Sequence, residues 1–318
     1  MRNRSNEPRA GRSRAVRLDA FGGPEVLTVQ DVPVPRPAPG QLRVRVTAAG
    51  LNPMDWFMTA DDRTASRFGL TLPAGFGTDY AGVVDRVGAG VTGYASGDRV
   101  FGAALSRAVA DYVLVESDGD ISTGVAHLTP DAVDDRTAAT LAIAGSTAAA
   151  ALAALDLGPD DTVLMGGAGG GVGVFAVQLA RLAGARVIGT GSPSTAEFLR
   201  SLGSEPIAYG DGLIERIRAL DAGPITAAAD LHGTDTVQVA RQLGVPDRRI
   251  CTIAARVDGI PAANGATAGP EALQHIAGLI AAGKLHVPIA ATFPIDEIRS
   301  AVELQSTRHA HGKIVIDL

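Results

Sequence analysis

The chain has 318 residues, of which 46% are hydrophobic, and carries a formal net charge of -6 with a sequence pI of about 5.5. That leaves ample material for a core and excludes a basic, nucleic-acid-binding body, which needs concentrated Lys and Arg. A single cysteine, Cys251, excludes an intrachain disulfide and a cysteine-based zinc lobe, since structural zinc draws on several thiolates.

At the start, Arg2, Arg4, Arg9, Arg12, Arg14 and Arg17 face one acid, Glu7. Residues 1–13 read as a flexible basic tail, with a docking or anion-binding arm as the alternative. No apolar run follows this stretch, and no segment reads as a membrane span, so a cytoplasmic protein is expected, without membrane or nucleic-acid partners. Residues 42–48 alternate as a half-buried strand, after prolines 33, 35, 37 and 39. Residues 80–87, 99–102 and 112–115 predict further strands separated by glycines, the texture of a small β-barrel.

Near Pro130 the texture changes to strands alternating with helices. Strands are expected at 162–165, 185–190, 207–209, 225–229 and 250–254, with a helix over 172–183. Ser194 and Glu197 have the spacing of a capping box opening another helix. Such alternation predicts a doubly wound parallel sheet with helices on both faces. A helix over 273–282 and a terminal strand over 313–316 complete the chain, and this tail is expected to return to the first domain. The expected division is 14–130 with 265–318 for the first domain and 131–264 for the second.

The strongest motif joins the 162–165 strand to the helix after it. Gly167, Gly170 and Gly173 fit G-x-x-G-x-x-G, and Gly169, Gly171 and Val172 complete the turn. Glycines permit a tight turn and close approach to a pyrophosphate, and the helix N-terminus favours the negative charge. An NAD site usually has an acid about twenty residues on. Here Thr190, Gly191, Ser192 and Ser194 stand instead. Small hydroxyl residues leave room for a 2′-phosphate, so NADPH is the expected cofactor, although no Arg follows at once to pair with that phosphate.

Several ordered segments carry a family resemblance. They are Phe21-Gly22-Gly23-Pro24-Glu25-Val26-Leu27, Asn52-Pro53-Met54-Asp55-Trp56, Gly77-Thr78-Asp79-Tyr80-Ala81-Gly82-Val83, Gly97-Asp98-Arg99-Val100, Ala282-Gly283-Lys284-Leu285 and Gly312-Lys313-Ile314-Val315. From Ala15 onward the chain resembles the medium-chain dehydrogenase/reductase superfamily, and within it the zinc-independent quinone oxidoreductase (zeta-crystallin-like) branch. The resemblance implies an α/β fold, with a GroES-like β-barrel domain beside a Rossmann domain, and a homodimer. It also implies an NADPH-dependent reductase acting on a small quinone or an activated carbon–carbon double bond. The alternatives are an enoyl-thioester reductase, or tailoring reductase, of polyketide-type metabolism, and a non-catalytic NADPH-binding protein.

Where zinc members carry Cys and His-Glu, this chain reads Leu51-Asn52 and Thr78-Asp79, so no metal is expected. The resemblance makes Asn52, Asp55 and Thr147 the candidates for chemistry, and Trp56 and Phe57 the candidates for the substrate pocket. Ala254 and Lys313 join the glycine turn as cofactor-binding candidates. Asn52 can also be a plain turn residue before Pro53, and Thr147 a plain helix hydroxyl. Phe57 stands where many relatives carry Lys, and Ala148 and Ala149 where many carry an aromatic, which suggests a roomier, less charged pocket.

Overall fold

The computed structural model describes residues 11–220 and 223–318, so the expected tail falls outside the described residues up to residue 10. Arg12 and Ser13, placed in that tail from the sequence, belong to the first strand instead. Arg12–Leu18 (β1) pairs antiparallel with Thr28–Pro33 (β2), and the ladder begins at Arg12↔Pro33. Two compact units divide the chain. One comprises residues 1–142, 291–310 and 314–318, the other residues 143–290 and 311–313. These bounds differ from 130 and 264, because the helix near residue 275 stays with the second unit.

In the first unit β3 runs over Gln41–Leu51, longer than the alternating stretch suggested. Leu42, Val44 and Val46 point into the core while Arg45 is exposed. Arg43 departs from the alternation. It is buried, and it is held by a hydrogen bond to Asp85 (2.6 Å) and by the Tyr112 ring 5.2 Å away. The strand continues because Gly50 passes the Ala139 carbonyl, where any side chain would collide. After β3 come the helices Pro53–Phe57 (α1) and Asp62–Arg67 (α2), with Asp61 capping the latter through Thr64 N (2.8 Å). The strands Ala74–Gly75 (β4), Asp79–Val87 (β5), Arg99–Ala103 (β6), Tyr112–Glu116 (β7) and Val125–Leu128 (β8) follow, then a short helix Asp135–Ala138 (α3). Tyr80, Val84, Val100 and Val113 close one core, and Leu18, Leu51 and Phe76 a second.

The helix Ala142–Leu155 (α4) leads into the second unit, which is a five-stranded parallel sheet. Its strands are Thr162–Gly166 (β9), Arg186–Gly191 (β10), Glu205–Ala208 (β11), Ala227–Asp230 (β12) and Ile250–Thr252 (β13), in the order β11-β10-β9-β12-β13. The helices are Gly173–Leu182 (α5), Ala196–Ser201 (α6), Leu213–Arg218 (α7), Asp235–Gln242 (α8) and Ala272–Ala281 (α9). Leu164, Ile188, Ala228, Val237 and Ile250 are fully buried, which explains why these strands read as apolar runs rather than alternations.

The expected capping box is not formed. Pro193 starts a 3₁₀ turn over Pro193–Thr195, so α6 begins at Ala196 and Ser194 lies inside the turn. The chain then returns to the first unit through Ile289–Pro294 (β14), Ile298–Ser306 (α10) and Lys313–Asp317 (β15). β15 pairs with β3, and a seven-stranded sheet runs β14-β15-β3-β5-β6-β8, with β7 also on β3. Among the described residues, no helix is long and apolar enough to cross a membrane.

Candidate active site

The parallel sheet reverses its order between β9 and β12, and such a switch point is where open α/β sheets receive ligands, outside the carboxyl ends of the strands. The glycine turn lies there. Gly167 has φ +72°, a conformation that favours glycine. Its carbonyl accepts from Gly170 N (3.0 Å), closing the turn before α5. A Cβ on Gly173 would lie 2.3 Å from Gly167 O and 2.4 Å from Ala168 O, so that glycine permits the tight packing of helix on turn. Gly170 differs. A Cβ there would meet only Gly167 O, at 3.3 Å, and its outer side is otherwise open backbone. An open glycine face at the start of a ten-residue helix fits a pyrophosphate, as the sequence suggested.

Two segments from elsewhere in this unit hold the turn. Gly312 N donates to Gly169 O (3.0 Å), and the Lys313 side chain lies against Gly171, where a Cβ would be 3.2 Å from Lys313 Cδ. Lys313 is thus brought to the turn, at 2% exposure. Next to it, the rings of Phe198 and His311 stack at 5.5 Å, so His311 is not simply solvated. On the other side stands Asp230, which the motif reading passed over. It is 2% exposed, and its carboxylate accepts from His232 N (3.1 Å), Gly233 N (2.7 Å) and Thr236 N (2.9 Å). The turn it builds packs against the glycines, because Leu231 N donates to Gly166 O (3.1 Å). The signal in the sequence was an acid ending an apolar strand before Gly233, a pattern too short to stand out.

At the end of β10, Thr190 is buried and Gly191 packs under Thr195. Ser192 Oγ and Ser194 Oγ lie 2.8 Å apart. These positions carry hydroxyls and no carboxylate. Ala254 is exposed, two residues past the end of β13, and no described contact joins it to the glycine turn. The expected strand stops early because the chain turns after Thr252, whose N–H bonds Pro261 O (3.1 Å).

Cys251 lies in β13 and is buried, with Sγ donating weakly to Ala151 O (3.6 Å). Burial, with the Asp230 charge nearby, pushes its thiol up to about 12, so the thiolate is scarce at neutral pH. A maleimide at about pH 8 is expected to leave the folded chain unmodified and to label it in denaturant. Equal labelling rates in both conditions would contradict this placement.

In the first unit, Asn52 precedes α1 and is 3% exposed, beside Asp55 at 1%, Thr78 at 0% and Asp79 at 0%. Asn52 Nδ2 donates to Asp79 Oδ2 (3.0 Å), Asn52 N to Asp55 Oδ2 (2.8 Å), and Thr78 Oγ1 to Asp55 Oδ1 (2.6 Å). Pro53 occupies the first helical position and fixes the entry to α1. The network therefore ties the start of α1 to the start of β5, at the positions where zinc relatives carry ligands. Among the described residues, no three His, Cys, Asp or Glu side chains gather where they would hold a metal. Trp56 packs against the apolar cluster of this unit and its buried Nε1 has no partner among the described residues, while Phe57 is 49% exposed. Thr147 sits within α4 of the second unit, and its hydroxyl donates to Ile143 O (2.7 Å).

Comparison with known proteins adds the following. Residues 38–129 match the alcohol dehydrogenase GroES-like domain family, and residues 208–316 the zinc-binding dehydrogenase family. A quinone oxidoreductase of Pseudomonas aeruginosa is 30% identical over 333 residues, covering 96% of this chain and 99% of that protein. The match to a Sus scrofa quinone oxidoreductase is 37% identical but spans about half of that relative's length, 52%. Among solved structures, the quinone oxidoreductase of Coxiella burnetii has a TM-score of 0.83 at 28% identity, covering 96% of this chain and 99% of that one. The Escherichia coli quinone oxidoreductase, solved in complex with NADPH, has a TM-score of 0.81 at 25% identity, covering 96% and 100%.

Proposed function

This chain belongs to the medium-chain dehydrogenase/reductase superfamily, in its quinone oxidoreductase branch, and on that premise we propose that it is an NADPH-dependent, zinc-independent reductase of a quinone or an activated carbon–carbon double bond. The observation that carries the cofactor choice is the end of β10, where Thr190, Ser192 and Ser194 stand in place of the carboxylate that would bond an unphosphorylated ribose. When bound, reduced nicotinamide supplies a hydride to an electrophilic carbon.

The chain's own residues bind, orient and polarise. Gly170 and the N-terminus of α5 receive the pyrophosphate, and Lys313, packed along Gly171, adds positive charge to that site. In this reading Asn52 donates to an acceptor oxygen as charge develops there, with Asp79 orienting its amide and Asp55 fixing its backbone. Thr147 and the apolar surfaces of Trp56 and Phe57 complete the proposed set. A homodimer and a cytoplasmic location belong to the same reading.

Nicotinamide fluorescence titration is expected to give a lower Kd for NADPH than for NADH. Cofactor oxidation is expected with members of a panel of quinones and enones. Equal or tighter NADH binding overturns the cofactor choice. NADPH binding with no turnover of any quinone, enone or enoyl thioester moves the chain to the non-catalytic alternative.

A further inference from the structure

β11 ends at Ala208, beside the end of β10, and the loop that follows is held in an unusual way. The Arg216 guanidinium on α7 donates to four consecutive carbonyls. Nε and Nη2 reach Ala208 O (3.1 and 2.8 Å), Nη2 also reaches Tyr209 O (3.2 Å) and Gly210 O (3.1 Å), and Nη1 reaches Asp211 O (2.7 Å). Gly210 and Gly212, at φ +87° and +77°, allow the chain to curl around the cation. Among the described residues, no carboxylate forms an ion pair with Arg216, so its charge is met by dipoles alone.

What the curled loop presents is Tyr209. Its N–H bonds Gly191 O (3.2 Å), which fixes the residue against the end of β10, and its side chain is 62% exposed. An aromatic left that open at the carboxyl edge of the sheet has no packing role to explain it. It stands beside the segment that carries the Ser192 and Ser194 hydroxyls, and the only strong donor set in the loop is fully spent on holding the loop's shape.

We propose that Arg216 is a positioning residue for cofactor choice. By fastening residues 208–211 it fixes the Tyr209 phenol as a donor beside Ser192 and Ser194, and it adds an unneutralised positive charge behind them. The ligand class is the phosphomonoester on an adenosine ribose. This rests on the reading above that the end of β10 receives that ribose. It also answers the question the sequence left open, because the cation lies in the next βα loop and acts through backbone carbonyls rather than by direct contact.

The experiment measures NADPH and NADH Kd values by fluorescence on the purified full chain, with a melting curve on each preparation. Arg216→Met keeps the aliphatic stem and removes every donor. It is expected to raise the NADPH Kd about tenfold and leave the NADH Kd within about twofold, the scale of one lost hydrogen bond to a charged group. Arg216→Lys is expected to recover part of the preference. Tyr209→Phe, an exposed substitution that does not threaten folding, is expected to lower the NADPH preference in the same direction and serves as the deciding variant should Arg216→Met fail to fold. NADPH preference that survives in Tyr209→Phe and in folded Arg216→Met overturns this inference alone, as does an equal loss for both cofactors. A wild type with no preference for NADPH overturns the underlying reading and this inference with it.

Discussion

Gly173→Ala is expected to abolish NADPH binding and to destabilise the chain by about 3 kcal/mol, at the upper end of typical overpacking costs. The added methyl would sit 2.3 Å from Gly167 O, 2.4 Å from Ala168 O and 2.6 Å from Ala168 C. All three are backbone atoms of the turn itself, so no side chain can swing aside. The turn must open, and opening breaks the bond from Gly170 N to Gly167 O that shapes it. Gly170→Val provides the contrast. The Cβ at that position meets one atom, at 3.3 Å, so the fold is expected to survive while the branched side chain occupies the face offered to the pyrophosphate. A melting curve and a fluorescence titration on both variants separate the two effects. Normal NADPH binding in Gly170→Val would show that the turn is not the phosphate site. Wild-type melting in Gly173→Ala would show that the close approach is not what the turn requires.

Asp230→Ala is the second large effect. Three backbone N–H groups, those of His232, Gly233 and Thr236, lose their acceptor at once. Leaving a buried donor unsatisfied costs roughly 1–3 kcal/mol each, so a total of about 3 kcal/mol or more is expected even after water enters the space. The turn between β12 and α8 abuts the glycine turn, so cofactor affinity is expected to fall together with stability. Asp230→Asn keeps one acceptor oxygen and is expected to lie between wild type and alanine. Urea unfolding with the midpoint and slope both reported is the measurement, and an unchanged midpoint in Asp230→Ala would remove the clamp from the account.

The parts of this chain that the sequence made legible share one property, that their signal is local. Apolar runs bounded by glycine announced β9, β10 and β12, and Gly167, Gly170 and Gly173 announced the turn because an apolar strand precedes them and a helix follows. The missing acid after β10 was readable for the same reason. What escaped depends on contacts between residues distant in sequence or on loop shape. Asn52 finds Asp79, 27 positions away, only after β3 and β5 have paired. The role of Asp230 requires the chain to fold back over its carboxylate, and that of Arg216 requires a curl that two glycines permit but do not specify. At Ser194 the local rule itself misled, because Pro193 begins a 3₁₀ turn and leaves the serine beyond the reach of a helix N-terminus. Ala254 was assigned to a strand and a site on apolarity alone, yet lies exposed past the end of β13.

The polypeptide changes unit at residues 142/143, 290/291, 310/311 and 313/314. The last two crossings bracket only His311, Gly312 and Lys313, which supply the N–H on Gly169 O and the side chain along Gly171 before β15 continues to its place beside β3. A gene cut at 142 and 290 therefore does not yield a self-sufficient nucleotide-binding module, because three codons from the far end of the reading frame belong to it. Shuffling of such modules between relatives has to carry the final segment along or find a substitute for it. The closing strand and the phosphate turn are inherited as a linked pair, and drift at Gly312 is constrained from both sides.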